Sequence, residues 1–121
     1  MTPDTLSDRL LDFGVAAGKL VDRLPDTRLG RQVAGQMIRS CTSPAPNYEE
    51  ACAAESSADF EHKLGICLKE LRETRLWLRF IMKSAMLSTS DVTCVLDECT
   101  QLCNIIAQSI VTSKRNRGKD R

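Results

Sequence analysis

The stretch Ser56 to Ala85, SSADFEHKLGICLKELRETRLWLRFIMKSA, constrains this chain more than any other. It contains no proline, and its one glycine is Gly65. Phe60, Leu64, Cys67, Leu71, Thr74, Leu78, Ile81 and Ala85 follow one another in alternating steps of four and three. That spacing keeps all eight on one side of an α-helix, whose turn is about 3.6 residues. At ~1.5 Å rise per residue, a helix of this length is a rod of about 45 Å. Such a rod buries its stripe only against partners of similar length, and here those partners are other helices.

Leu6, Leu10, Phe13, Ala17, Leu20 and Leu24 repeat the pattern in a first helix predicted over Asp4 to Leu24. Asp4 favours the start of its dipole, and Pro25 stops it. Asp26 or Thr27 is placed to cap a second helix carrying Leu29, Val33, Ala34, Met37, Ile38 and Cys41. Pro44 and Pro46 either end that helix or restart one at a first turn. We expect one long helix, kinked near Pro44 to Pro46 and running to about Ala54. Ser56 and Ser57 make the next break, with Ser56 and Asp59 spaced as a capping box. Ser88-Thr89-Ser90 is a short turn with Ser90 as the expected cap. The fourth helix carries Val92, Leu96, Cys99, Cys103, Ile106 and Ile110 and is expected to fade near Ser113. The fold class is all-α, an antiparallel up-down-up-down four-helix bundle over residues 1–113. Residues 114–121 read as a basic, disordered tail.

At 121 residues the chain is one domain, and 42% hydrophobic residues suffice for a core. The net charge of +1 gives no bulk argument for nucleic acid. The distribution is less even: Lys114, Arg115, Arg117, Lys119 and Arg121 are opposed in the tail by Asp120 alone. No run approaches the ~18 apolar residues of a membrane span, so no membrane partner is expected. Asp4 and Asp8 occupy the place of a secretion signal's basic region, so a cytoplasmic location is expected. The six cysteines are accordingly read as reduced thiols.

Few constellations here could carry chemistry. Di-iron bundles need inward carboxylates and two Glu-x-x-His pairs. This chain has one histidine, His62, turned about 160° from the core stripe by the helical angle. Cys99 and Cys103 have nominal zinc spacing but no second pair, and core packing explains them better. Within KELRETR, Glu70 and Glu73 could be a paired-carboxylate site, but with Arg72 and Arg75 an ion-pair lattice is the better account. Arg75 is a candidate partner for Glu50. No Gly-rich phosphate loop or activated nucleophile stands out. Catalytic residues, metal and cofactor are all expected to be none, and the protein is not expected to be an enzyme.

The long helix has a second apolar side. Ile66, Trp77 and Phe80 project away from the stripe, with Glu70 and Glu73 among them. These five are the candidate oligomer interface, since exposed aromatic surface usually meets something. The alternative is that Trp77 is buried at the fringe of its own subunit. Arg28, Arg31 and Arg39 of the second helix, with Lys114, Arg115, Arg117, Lys119 and Arg121, are the candidate nucleic-acid-binding set. No aromatic residue is interleaved with the tail, so base stacking is not expected.

The segment Asn47-Tyr48-x-Glu50-Ala51, then Glu55-Ser56-x-Ala58-Asp59-Phe60-x-His62-Lys63-Leu64-x-Ile66, then Leu68-Lys69-Glu70-x-Arg72-Glu73-Thr74-Arg75-x-Trp77-Leu78, resembles the bacterial 23S rRNA intervening-sequence protein family. Ser109-Ile110-x-Thr112-Ser113-Lys114-Arg115-Asn116 matches the family's style of ending. The resemblance implies an antiparallel four-helix bundle that assembles as a ring or barrel, a homopentamer. The chain is also similar to the accessory variability proteins of diversity-generating retroelements. That likeness implies RNA or DNA, and by analogy a reverse transcriptase, as partners. Those relatives are strongly basic, whereas this chain is not. No catalytic residues come with the resemblance. The functional expectation is a non-enzymatic, homo-oligomeric interaction or nucleic-acid-associated accessory module. The alternative is sequence-nonspecific RNA or DNA binding through the basic helix residues and the tail.

Overall fold

The computed structural model describes residues 1–119, all helical apart from short connections. The elements are α1 (Pro3–Asp22), α2 (Arg28–Thr42), α3 (Pro44–Cys52), α4 (Ser57–Ser84) and α5 (Thr89–Lys119). Each start is set by local chemistry. Thr2 Oγ1 accepts the Thr5 amide, with Pro3 in the first turn where its missing N–H costs nothing. Thr27, not Asp26, caps α2 by accepting the Gly30 amide, while Asp26 pairs with Arg31. Ser56 accepts the Asp59 amide at the head of α4. At α5 the hydroxyl nearest the Asp91 amide is Ser88, at 3.4 Å, rather than the expected Ser90.

α2 and α3 form one kinked column. Ser43 keeps right-handed helical angles, φ −80 and ψ −34, and its carbonyl accepts the Asn47 amide at 3.2 Å. Neither Pro44 nor Pro46 has an N–H to give the preceding turn, which bends the column without ending it. The bend falls at Ser43, and the column ends at Cys52, two residues short of the expected Ala54.

Contacts between the columns show that neighbours run antiparallel. Gly14 approaches the Cys41 carbonyl and Gly18 approaches Ile38, so α1 and α2 run in opposite directions. Cys67 lies 3.5 Å from the Pro44 carbonyl and Thr74 lies 2.8 Å from Ser40, which reverses α4 against the α2–α3 column. Cys99 meets the Leu71 carbonyl while Ser113 meets Glu61, so α5 is antiparallel to α4. Arg9 to Glu98 and Arg23 to Asp91 close the bundle between α1 and α5. Among the described residues no Cα of α1 lies within 8 Å of one in α4, and the two stand diagonally across it. This is the antiparallel four-helix bundle expected from the stripes.

The core is aliphatic and thiol-rich. Leu10, Val33, Met37, Leu64, Cys67, Leu71, Leu78, Ile81, Val92, Cys99, Leu102 and Ile106 are fully buried. Three expected stripe positions depart from this. Leu29 and Ile38 of α2 are exposed, because at about 100° per residue they fall on opposite flanks of the buried stripe of Val33, Met37 and Cys41. Ala85 is not a core residue but the left-handed cap of α4, with φ 56. The expected fading of the last helix at Ser113 also fails: α5 continues to Lys119.

Candidate interaction surface

The candidate interface residues of α4 form one strip beside the core stripe. Thr74 points at Ser40 of α2, and at about 100° per residue Glu70 and Trp77 fall toward that same side. Leu71 and Arg75 fall toward α5. Ile66, Glu70, Glu73 and Trp77 are half-buried, and Phe80 is exposed. The Trp77 and Phe80 rings meet edge to face with centroids 5.7 Å apart. That arrangement suits the ring quadrupoles. The indole Nε1 of Trp77 donates to Glu73 Oε2 at 3.4 Å. One edge of Trp77 packs against the bundle core, so the fringe-burial alternative accounts for part of its surface. The remainder, with Phe80, stays open to solvent.

The ion-pair lattice expected in KELRETR is not made within the chain. Among the described residues, no opposite charge lies within ion-pair distance of Glu70, Arg72, Glu73 or Arg75. Nor does Arg75 neutralise Glu50, which is exposed and takes Lys63 at 3.3 Å.

The basic residues divide into two groups at opposite ends of the bundle. Arg28 and Arg31 begin α2, at the end where Arg23 of α1 meets Asp91 of α5. Arg31 is already paired with Asp26 at 2.7 Å. Arg39 is exposed farther along α2. Lys114, Arg115, Arg117 and Lys119 lie on the last turns of α5, beside the start of α4. The two ends are about 40 Å apart, the length of a 28-residue helix at ~1.5 Å per residue. The expected nucleic-acid set is therefore not one patch on a single copy. Arg121 lies outside the described residues.

Arg117 is structural. Its guanidinium donates from Nη2 to Glu61 Oε1 at 2.7 Å and from Nε to Oε2 at 3.2 Å, while Ser113 Oγ donates to Oε2 at 2.8 Å. The Ser113 hydrogen bond and then Arg117 hold the Glu61 carboxyl below its usual range. This bidentate clasp carries the helix past Ser113. Lys114, Arg115 and Lys119 remain exposed.

Four of the six thiols are packing groups, and Cys52 and Cys94 are exposed. All six cysteines are free, and Cys41, Cys67, Cys99 and Cys103 are buried. Burial pushes Cys67 up to about 12 and Cys41 up to about 11. Cys99 is pushed up by its contact with Cys103 and by burial, and its S–H donates to the Leu71 carbonyl at 3.2 Å. The same contact, with Arg75 and Arg72, draws Cys103 down, but Cys103 is only 3% exposed. His62 is exposed, and no cluster of metal-ligating groups occurs among the described residues. No described helix is long and apolar enough to cross a membrane.

Four large apolar residues exposed within helices were not anticipated from the sequence: Leu11 and Val15 on α1, Leu76 on α4 and Val111 on α5. Leu76 adjoins Phe80 one turn on. Leu11 and Val15 stand four apart and off the α1 stripe, a signal available in the sequence.

A family model described as 23S rRNA-intervening sequence protein matches residues 9–108. Among solved structures, the chain is similar to a protein with unknown function from the S23 ribosomal protein family of Bacteroides thetaiotaomicron. The two share 29% identity and a TM-score of 0.82, over 91% of this chain and 98% of that one. Comparison with curated proteins gives no match.

Proposed function

This chain belongs to the 23S rRNA-intervening sequence protein family, and on that premise we propose that it is a non-enzymatic, homopentameric helical bundle serving as an interaction or nucleic-acid-associated accessory module. The observation that carries this is the Trp77–Phe80 pair. The protein's only tryptophan sits half-exposed on the outside of the longest stripe, edge to face with a second exposed ring. Tryptophan and phenylalanine are enriched at subunit contacts, and in one bundle their outer surfaces have no partner. A non-catalytic role is supported by the burial of four of the six thiols, by the lack of a resolved activating partner at the exposed Cys52 and Cys94, and by His62, which has no partner set among the described residues. Light scattering of the wild-type chain and of Trp77→Ala tests the reading. A wild-type mass near that of a pentamer, lowered by the substitution, supports it. A 13.5 kDa wild type at micromolar concentration overturns it.

The second reading is sequence-nonspecific RNA or DNA binding, favoured by Lys114, Arg115 and Lys119, exposed together at the end of α5. A ring would bring five such ends to one rim. A filter-binding titration at two salt concentrations tests this. Binding that weakens with salt and is lost on deleting residues 114–121 supports it, and absence of binding at low salt removes it. A reverse transcriptase partner rests on the resemblance to retroelement accessory proteins, and pull-down with such an enzyme tests it.

A further inference from the structure

The apolar strip on α4 needs a counter-surface, and α1 carries one. The outward side of α1 exposes Leu11 at 54% and Val15 at 57%, one turn apart. An open groove of about 290 Å³ runs between α1 and the α2–α3 column, bounded by Leu11, Gly14, Val15, Thr42 and Pro46. Gly14 lets the two columns close on each other at its floor, since a Cβ there would stand 3.1 Å from the Cys41 carbonyl. On α4 the matching outward residues are Leu76, 54% exposed, and Phe80, 36% exposed.

The charges around these two faces are opposite in sign. Asp4, Asp8, Asp12 and Asp22 are exposed on α1, with Lys19 the one base among them. Lys69, Arg72, Arg79 and Lys83 are exposed on α4, with Glu73 alongside. Among the described residues, none of these four acids and four bases is ion-paired within the chain. α1 and α4 are diagonal in the bundle, so a copy cannot join its own two faces.

We propose, resting on the reading of α4 as a subunit contact, that the outward face of α1 on one copy seats on the outward face of α4 on the next. Leu11 and Val15 pack against Leu76 and Phe80, and the α1 aspartates meet the α4 cations. The contact is heterologous: each copy offers α1 to one neighbour and α4 to the other. Both apolar patches lean toward the α2–α3 column, Leu11 through the groove and Trp77 and Phe80 on the Ser40 side of α4. Repeating a contact whose two halves flank one column curves the assembly around that column. In a ring closed by that contact, α2–α3, and hence Arg28 and Arg39, face the axis.

The test is the solution mass of the full chain in four forms: wild type, Asp8→Lys with Asp12→Lys, Arg72→Glu with Arg79→Glu, and all four substitutions together. Each pair should drop the mass to 13.5 kDa, and the fourfold variant should regain the wild-type mass, because reversed charges again oppose. Val15→Ser, which reverses no charge, should lower the mass as well, and circular dichroism checks that every variant is folded. If the α1 variants keep the wild-type mass while Trp77→Ala loses it, α4 meets something other than α1 and the inference is overturned alone. A folded fourfold variant that stays monomeric also overturns it. A monomeric wild type overturns both this inference and the reading it rests on.

Discussion

Thr74 of α4 and Ser40 of α2 face each other with hydroxyl oxygens 2.8 Å apart, both fully buried between columns that are otherwise aliphatic. Ser40 donates to the Met37 carbonyl at 3.3 Å, leaving its oxygen to accept from Thr74. This pair fixes the register of the central rod against the kinked column. Thr74→Val keeps the shape and removes the donor, and should cost about 1 kcal/mol in urea unfolding. Ser40→Ala should cost a similar amount. The double variant should cost less than their sum, because each single variant already loses the one hydrogen bond the two hydroxyls share, while Thr74 keeps the Glu70 carbonyl and Ser40 the Met37 carbonyl in reach.

Glu61 makes the end of α5 sensitive to acid. Its carboxyl titrates below the usual range because Ser113 and Arg117 hold the charged form. The clasp therefore contributes fully above the ordinary glutamate pKa of ~4.3 and is lost as pH falls through the lower folded value. The protection of amides over residues 110–119, relative to their unfolded-chain exchange rates at each pH, should fall in acid below that point, before the core opens. Glu61→Gln should speed the same amides at neutral pH and flatten their acid dependence.

Two glycines should respond oppositely to the same substitution. A Cβ on Gly30 would stand 2.0 Å from the Pro25 carbonyl oxygen, so the turn entering α2 must move. Gly30→Ala should cost about 2–3 kcal/mol. Gly65 lies exposed within α4 with nothing near its Cβ position, and Gly65→Ala should stabilise by about 0.5–1 kcal/mol. Thermal midpoints of the two variants check both signs.

Ala85 holds a left-handed conformation, φ 56, to end α4. Its amide reaches back to the Met82 carbonyl at 3.2 Å, and the Met86 amide to that of Ile81 at 3.2 Å. A non-glycine residue in that region carries a strain of roughly 1–2 kcal/mol, partly offset in glycine by its freer unfolded chain. Ala85→Gly should therefore raise the unfolding free energy by about 0.5–1 kcal/mol, read as a shifted urea midpoint.

The four-three stripes made the bundle legible because burial repeats at the helical period wherever one column leans on another. Six of the eight residues of the α4 stripe, from Leu64 to Ile81, are buried as their spacing requires. What periodicity misses is pairing across long separations. Glu61 and Arg117 are 56 residues apart in sequence, so a clasped helix end looked like a free tail. Leu102 escaped although it stands three after Cys99 and four before Ile106, because the four-three stripe takes Cys103 for that turn. Ala85 fitted the spacing but sits where the helix must end. The outer side of α4 was visible as misplaced aromatics. The outer side of α1 was legible only as two aliphatic residues four apart, which among aspartates look like ordinary surface until the bundle shows them beside a groove.

Trp77 is the only tryptophan, so its emission reports on one side chain alone. The most direct test is to record that emission and the mass of the wild-type chain together across a dilution series. If α4 is a subunit contact, the mass should fall toward 13.5 kDa on dilution while the emission shifts to the red as Trp77 meets water. A mass of 13.5 kDa at every concentration, or dissociation with no change in emission, would contradict it.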